Sequence, residues 1–391
     1  MREEATGRRG YGRMAFLGRT AGTVIPRVVT ASVSSPERRL PEPGTEQRFL
    51  VRLREEGTCV AWQHDAVLTA DDARTLAEGV ATIDTWTRGT GATPATAARA
   101  ATAVGRRLYD VFLGPRGTAY LAAHPPTALM VDVDETLIGL PWELLRDRSG
   151  VLAERMPFGR LVTTRLVPTA ERDPAQEDPA LEVLAVLDPS GGMPGIEAEL
   201  AALKQLHGQG LVRLDVLRGA KATTAAFRRA LDGKAYDVLH VSAHGAFDAR
   251  SPSRSELVLA DGVVTAKDVG SLPWAKPPYL VVTGACWSAR AAGGARLFRR
   301  GSGANGLAAA FLGAGTAAVT GWFWPVSMRA ATEFACTFYD QLMATGTVGE
   351  AFRSARAHTV STFADSGDLS GSGAILYGDA ATGERRNLAA A

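Results

Sequence analysis

The sequence predicts an α/β fold in which a mostly parallel sheet is flanked by helices on both faces. Three observations carry that expectation. Short apolar runs rich in β-branched residues, LEVLAVL at 181–187, YDVLHVSAHG at 236–245 and PPYLVVTGAC at 277–286, run into turn residues. That is the pattern of strands buried on both faces. Segments of helical length and periodicity separate them, as crossovers between parallel strands require. The chain has 391 residues, 46% hydrophobic and 21% charged, enough for one large or two modest cores of an ordinary globular protein.

Taken in order, the first 40 residues hold eight arginines against three glutamates, a balance of +5, among many Gly, Thr and Ser. Residues 1–44 are therefore expected to be a disordered basic arm. Glu3 and Glu4 argue against a transit peptide, and the apolar residues around Phe16 and Val24 are too few for a signal peptide or a membrane span. RFLVRL and TCVAW read as two short strands around Glu56 and Gly57, with Cys59 in the core. Thr69 and Asp72 form a capping-box pattern that opens a helix towards Trp86, and 97–113 reads as a second helix.

The segment PTALMVDVDETLIGLPWELLRD at 126–147 carries an apolar strand running into Asp132, Asp134, Thr136 and Leu137. This order resembles the nucleophile motif of haloacid-dehalogenase phosphatases, with Asp132 attacking phosphorus and Asp134 as general acid. Such a pair of carboxylates suits Mg²⁺. The plainer reading is a strand leaving the sheet into an acidic turn, and the PWELL that follows has no place in the phosphatase motif.

Residues 45–166 read as an N-terminal part of the folded unit, 167–180 as a Pro- and acid-rich connector, 181–380 as the core and 381–391 as a tail. Within the core the order is strand 181–187, helix 195–207, strand 213–217, helix 222–232, then the histidine strand. SELVLADGVVT at 255–265 reads as a hairpin turning at Asp261 and Gly262, with a short helix capped by Thr265 and Asp268. After Cys286 come a glycine-rich loop at 290–303, helix 304–313, strand 316–323, helices 329–344 and 348–360, and the closing strand GAILYGD. Cys336 falls on the apolar face of the first of those two helices. No internal repeat is present, and in particular none of 34 residues.

The formal net charge of +2 gives no global reason to expect nucleic acid or an anionic membrane as partner. The three cysteines, Cys59, Cys286 and Cys336, lack metal-ligand spacing, so no metal or other cofactor is expected. Their odd number fits a reducing, cytoplasmic setting better than a disulfide framework.

His244 and Cys286 stand at the ends of a matched pair of apolar runs, 286 − 244 = 42 residues apart, which leaves room for one crossover. In an open α/β sheet the carboxyl ends of neighbouring strands share one crevice. If these strands are neighbours, the imidazole and the thiol meet there. A thiol with a pKa of about 8.5 is mostly protonated at neutral pH, and an adjacent imidazole raises its thiolate fraction. His240, inside the apolar run, reads as a core histidine with its hydrogen bonds satisfied.

The order histidine-glycine, apolar strand, alanine-cysteine resembles the core of the caspase-type (clan CD) peptidases. More closely, HVSAHG, VVTGACWSA, GLAAAFLGAGTAAVTGWFWPV, GAILYGD and the upstream LPWELLRD at 140–147 resemble the CHAT domain over roughly residues 100–380. The resemblance implies a caspase-like fold and a cysteine endopeptidase with Cys286 as nucleophile and His244 as its acid-base partner. It also implies an oxyanion site made by the backbone N–H groups of Gly245 and Cys286. In the related separases an acid in a WxVxD segment reads a basic P1 side chain; here WPVSM puts Ser327 and Met328 at those positions, which favours an apolar or small P1. Asp188, in DPSGG, is the competing candidate for a basic P1, or else a turn aspartate. Trp322 and Trp324 either wall the pocket or fill the core.

By the same resemblance the partners are specific protein substrates, among them a gasdermin-like pore former in bacterial antiviral defence or regulated cell death, and an activating partner protein. Two rival readings are a catalytically silent CHAT-like interaction module and the Mg²⁺-dependent phosphatase built on Asp132 and Asp134.

Overall fold

The computed structural model describes residues 27–34, 46–133, 137–162, 180–248, 251–286, 288, 306–378 and 380. The N-terminal part runs β1 (Val28–Ser34), β2 (Gln47–Glu55), β3 (Ala61–Leu68), α1 (Ala70–Thr87), α2 (Pro94–Phe112), α3 (Gly114–Ala123) and β4 (Ala128–Val133). A small hairpin, β5 (Arg146–Asp147) and β6 (Gly150–Val151), then α4 (Leu152–Arg155) and β7 (Phe158–Val162), complete it. The core begins β8 (Leu181–Leu187), α5 (Ile196–Gly208), β9 (Val212–Arg218), α6 (Thr224–Gly233) and β10 (Val238–Ser242). It continues β11 (Gly245–Ala246), β12 (Glu256–Leu259), β13 (Gly262–Thr265), α7 (Ala266–Val269), β14 (Leu280–Thr283), α8 (Leu307–Gly313) and β15 (Ala318–Trp322). It closes with α9 (Met328–Thr345), α10 (Val348–Thr362) and β16 (Ala374–Tyr377).

One 11-stranded sheet has the order β3-β2-β1-β4-β7-β16-β15-β14-β10-β8-β9, so the N-terminal part and the core share it. Pairing is parallel through the centre, with β2 antiparallel to its neighbours and β16 antiparallel to β15. The sheet is covered on both faces. On β8, Leu184 and Val186 join a cluster with Val104 of α2, Phe227 of α6 and Phe311 of α8, while Val183, Ala185 and Leu187 join the opposite cluster with Leu203 of α5, Phe338 of α9 and Phe352 of α10. The period of two that makes LEVLAVL a strand thus feeds two cores at once.

The expected disordered arm is overturned at Val28–Ser34. β1 lies inside the sheet, parallel to β4 and antiparallel to β2. VVTASVS alternates, with Val29, Ala31 and Val33 buried on one face, and the arginine-rich average over the arm conceals that alternation. Cys59 is likewise not core. The chain turns at Glu56–Val60 before β3 begins at Ala61, and Cys59 is exposed there beside Val60. Its apolar neighbours belong to a connection, not to the strand. Cys336 on α9 is only half-buried. The capping box at Thr69 and Asp72 is present, as is that at Thr265 and Asp268. The residues of the 167–180 connector before Ala180, and the whole of the 290–303 loop, fall outside the described residues.

A buried polar joint ties the two parts together. Arg160 on β7 and Glu143 from the LPWELL segment form an ion pair with almost no exposure, and Arg160 Nη1 also donates to the Ile138 carbonyl at 2.9 Å. From α10, Arg356 Nη1 donates to the Ala374 carbonyl at 2.8 Å and Nη2 to the Glu143 carbonyl at 3.1 Å.

Candidate active site

The two strands that end in the histidine and cysteine motifs are neighbours. β10 pairs in parallel with β14 in the register Val238↔Leu280, His240↔Val282 and Val241↔Thr283, a constant offset of 42 residues. His244 and Cys286 are separated by the same offset, each three residues past the last paired position. They therefore leave the sheet side by side at its carboxyl edge, in the crevice where ligands of open α/β sheets bind.

Several contacts fix that edge. Gly284 N–H donates to the Val241 carbonyl at 2.8 Å, and a Cβ on Gly284 would come within 2.9 Å of Ser242 Oγ. Gly245 packs against the cysteine backbone, where a Cβ would lie 2.8 Å from the Cys286 carbonyl oxygen and 3.0 Å from Ala285 Cβ. Ser288 bridges the turn beyond the cysteine to β15, accepting from Thr283 Oγ1 at 2.5 Å and from Trp322 N–H at 3.2 Å. On the histidine side, Val258 N–H donates to the His244 carbonyl at 2.9 Å and flanks the Gly245↔Leu257 pair. Gly245 is thus at a non-hydrogen-bonded position of that small antiparallel ladder, and its own N–H is not used there.

His244 is exposed and Cys286 half-buried. Cys286 Sγ points to the Val326 carbonyl at 3.9 Å, and among the described residues no hydrogen bond joins it to the His244 imidazole. Burial pushes the Cys286 thiol up, with the Val326 contact a smaller opposing effect. This arrangement thus disfavours the Cys286 thiolate.

Asp188 follows β8 on the other side of β10. It is 8% exposed, has φ of 48°, and donates its N–H to the Ser242 carbonyl at 2.8 Å. Among the described residues it alone, apart from glycines, has a positive φ, a conformation that aspartate tolerates better than most. Among the described residues its buried Oδ1 has no hydrogen-bond partner. The nearby Arg218 is committed to Glu197.

The segment after β15 behaves differently from the sequence expectation. Trp322 and Trp324 are both 2% exposed, with Trp324 Nε1 donating to the Leu369 carbonyl at 3.2 Å. They fill the core behind the crevice and present no face to a peptide. Ser327 caps α9, and its hydroxyl donates to Asp368 Oδ2 at 2.7 Å. The fold therefore brings an acid, 41 residues away in sequence, against Ser327 of the WPVSM segment. Met328 is half-buried and packs on the same cluster as Cys286. Asp132 lies within β4, opposite Ser32 and accepting from its hydroxyl at 3.3 Å, while Asp134 falls outside the described residues. Among the described residues no cluster of His, Cys, Asp and Glu is placed to hold a metal ion.

The model of the CHAT domain matches residues 102–367. The chain belongs to the CHAT domain family. Its fold is caspase-like: this CHAT protein superposes on separase from two Saccharomyces cerevisiae separase–securin complexes with TM-scores of 0.52 and 0.54, each at 10% identity and over 90% of this chain. It spans 30% of the length of those separase chains. Gingipain R, an Arg-specific cysteine proteinase, is similar over 78% of the CHAT chain and 75% of its own, at 13% identity and a TM-score of 0.49. No curated protein matches the chain.

Strand ends in the sequence point to His244 and Cys286 as candidates, and the family resemblance adds Gly245 and Asp188. Sequence reasoning did not single out Asp368 or Glu199. Asp368 meets Ser327 only through the packing of the α10–β16 connection, and nothing local marks it. Glu199 sits among ordinary helix-forming residues of α5.

Proposed function

We propose that this CHAT domain is a cysteine endopeptidase acting on specific protein substrates through Cys286 and His244. The observation that carries the reading is the shared 42-residue offset of the β10–β14 pairing and of the two side chains. His244 takes the Cys286 thiol proton, and the thiolate attacks the scissile carbonyl carbon to give a tetrahedral oxyanion. The C–N bond then breaks as His244 returns the proton to the leaving amine, and water hydrolyses the thioester. Gly245 and Cys286 backbone N–H groups supply the oxyanion donors, each worth about 10² to 10³ in rate.

The separation of Cys286 Sγ from the imidazole describes a resting form. Binding of substrate or of an activating protein draws Sγ away from the Val326 carbonyl and onto His244. The P1 side chain is basic: Asp188 offers a buried carboxylate oxygen lacking a partner, and a guanidinium or ammonium group would satisfy it. Asp368 beside Ser327 adds a second negative charge on the cysteine side of the crevice. Membership of the family extends to bacterial defence proteases, and by that resemblance a gasdermin-like pore former is the protein substrate to try first.

The raised thiol and its bond to Val326 favour one other reading, a CHAT module that binds protein partners without cutting them. Cleavage of a diverse peptide library by the wild type, Cys286→Ala and His244→Ala, with products mapped by mass spectrometry, separates the two. Cuts after Arg or Lys that vanish in both variants support the protease. Equal partner binding by all three proteins, with no cuts even when the partner is present, supports the binding module.

A further inference from the structure

Behind the crevice, on the face covered by α5 and α9, lies a polar cluster that the proposed chemistry does not use. Glu199 of α5 is 3% exposed. Its Oε2 accepts from the Ser242 hydroxyl and lies 3.1 Å from His240 Nε2, and its Oε1 accepts from Thr332 Oγ1 of α9 at 3.0 Å. His240 Nδ1 is 3.1 Å from the Tyr339 hydroxyl, also on α9. With Nε2–H donating to the carboxylate and Nδ1 accepting from Tyr339, every member is satisfied. Gly195, which begins α5, makes room for the approach: a Cβ there would fall 2.2 Å from Thr332 Oγ1. Burial works against the ionised carboxyl, yet the hydrogen bonds from His240, Ser242 and Thr332 hold Glu199 below the usual carboxylate range.

A carboxylate buried in an otherwise apolar layer is costly unless fully paired, and apolar residues would fill the same space. Its place in the fold explains the choice. Ser242 is the residue where three strand ends meet: its carbonyl takes the Asp188 N–H from β8, its side chain abuts Gly284 beyond β14, and His244 follows it by two residues. The Ser242 hydroxyl is tied to Glu199, and Glu199 is tied to two helices.

We propose that Glu199, acting through Ser242, is a positioning residue that holds the ends of β8, β10 and β14 in register, and with them Asp188, His244 and Cys286. The geometric part stands on the contacts above; its consequence for turnover rests on the protease reading. Glu199 touches no substrate, so for peptides with an apolar P1, which do not use Asp188, its loss lowers kcat through misplacement and leaves KM nearly unchanged.

The test compares wild type, Ser242→Ala, Glu199→Gln and His244→Ala in the full chain by amide hydrogen exchange, thermal unfolding and peptide turnover. Ser242→Ala is a small change that keeps the result readable if Glu199→Gln unfolds. The expected result is exchange at least about tenfold faster at Asp188 and Gly284, with the β1–β2 amides unchanged. It comes with kcat lower by about tenfold or more at constant KM on an apolar P1 peptide, Glu199→Gln being milder because it keeps an acceptor for Ser242. Unchanged exchange at those two amides in folded variants overturns the proposal, as does a uniform rise across the whole sheet. Local loosening together with turnover that His244→Ala leaves intact supports the positioning and sinks the dyad instead.

Discussion

Substituting Gly245 by alanine tests the crevice directly. The new Cβ would lie 2.8 Å from the Cys286 carbonyl oxygen, against about 3.4 Å for an ordinary contact, so the two segments must separate by about 0.6 Å. Both neighbours are rigid: one is main chain and the other is Ala285 Cβ, so no flexible side chain can absorb the shift. Overpacking of this kind costs about 1–3 kcal/mol, partly offset by about 0.4–1 kcal/mol from a stiffer unfolded chain. That leaves a protein of ordinary stability folded. Turnover suffers more, because the displacement falls between the imidazole and oxyanion donor on one side and the thiol on the other. If 1 Å of misplacement costs about 10²-fold, 0.6 Å costs about 10- to 20-fold in kcat. The assay is kcat on a cleaved library peptide beside a thermal melt. Gly208→Ala, at a helix end where no described residue lies within 4 Å of the added Cβ, is the control that should leave kcat unchanged and raise the melt slightly. A Gly245→Ala protein with wild-type kcat would refute the placement of Gly245 against Cys286.

Three other perturbations have definite expected outcomes. Glu143→Ala strands the buried Arg160 guanidinium and should cost about 3–5 kcal/mol in denaturant unfolding, whereas a loss below about 1 kcal/mol would show that the guanidinium does not depend on that carboxylate. Because burial raises the Cys286 thiol, its thiolate forms only above the ordinary thiol range; alkylation of the resting protein should be slow at neutral pH and climb through alkaline pH. A rate already at its plateau at neutral pH would contradict the resting arrangement. Asp188→Asn should lower kcat/KM for peptides with basic P1 residues by about tenfold or more and leave apolar P1 peptides near wild type, consistent with loss of a charge-assisted hydrogen bond. An equal loss for both peptide classes would assign Asp188 to structure alone.

Much of the fold was legible because its signals are local. LEVLAVL, the VLHVS and LVVT strands and the Thr69 and Thr265 caps each declare themselves within a few residues, through period-two burial or a side chain reaching its own helix. The N-terminal side of the sheet was less clear. β1 hid inside an arginine-rich stretch, and Cys59 borrowed an apolar look from a turn, since composition averages over neighbours while burial depends on partners far along the chain.

By itself the sequence determined which strands carry the histidine and the cysteine, and their 42-residue separation. Tertiary structure alone decided that these strands pair with the same offset, that Trp324 faces the core, and that Asp368 reaches Ser327. It also decided that Cys286 rests against Val326 and that Glu199 braces Ser242. A strand's identity follows from its own side chains. Register, burial and the partner of a polar atom are set by segments tens to hundreds of residues away, and no local pattern encodes them.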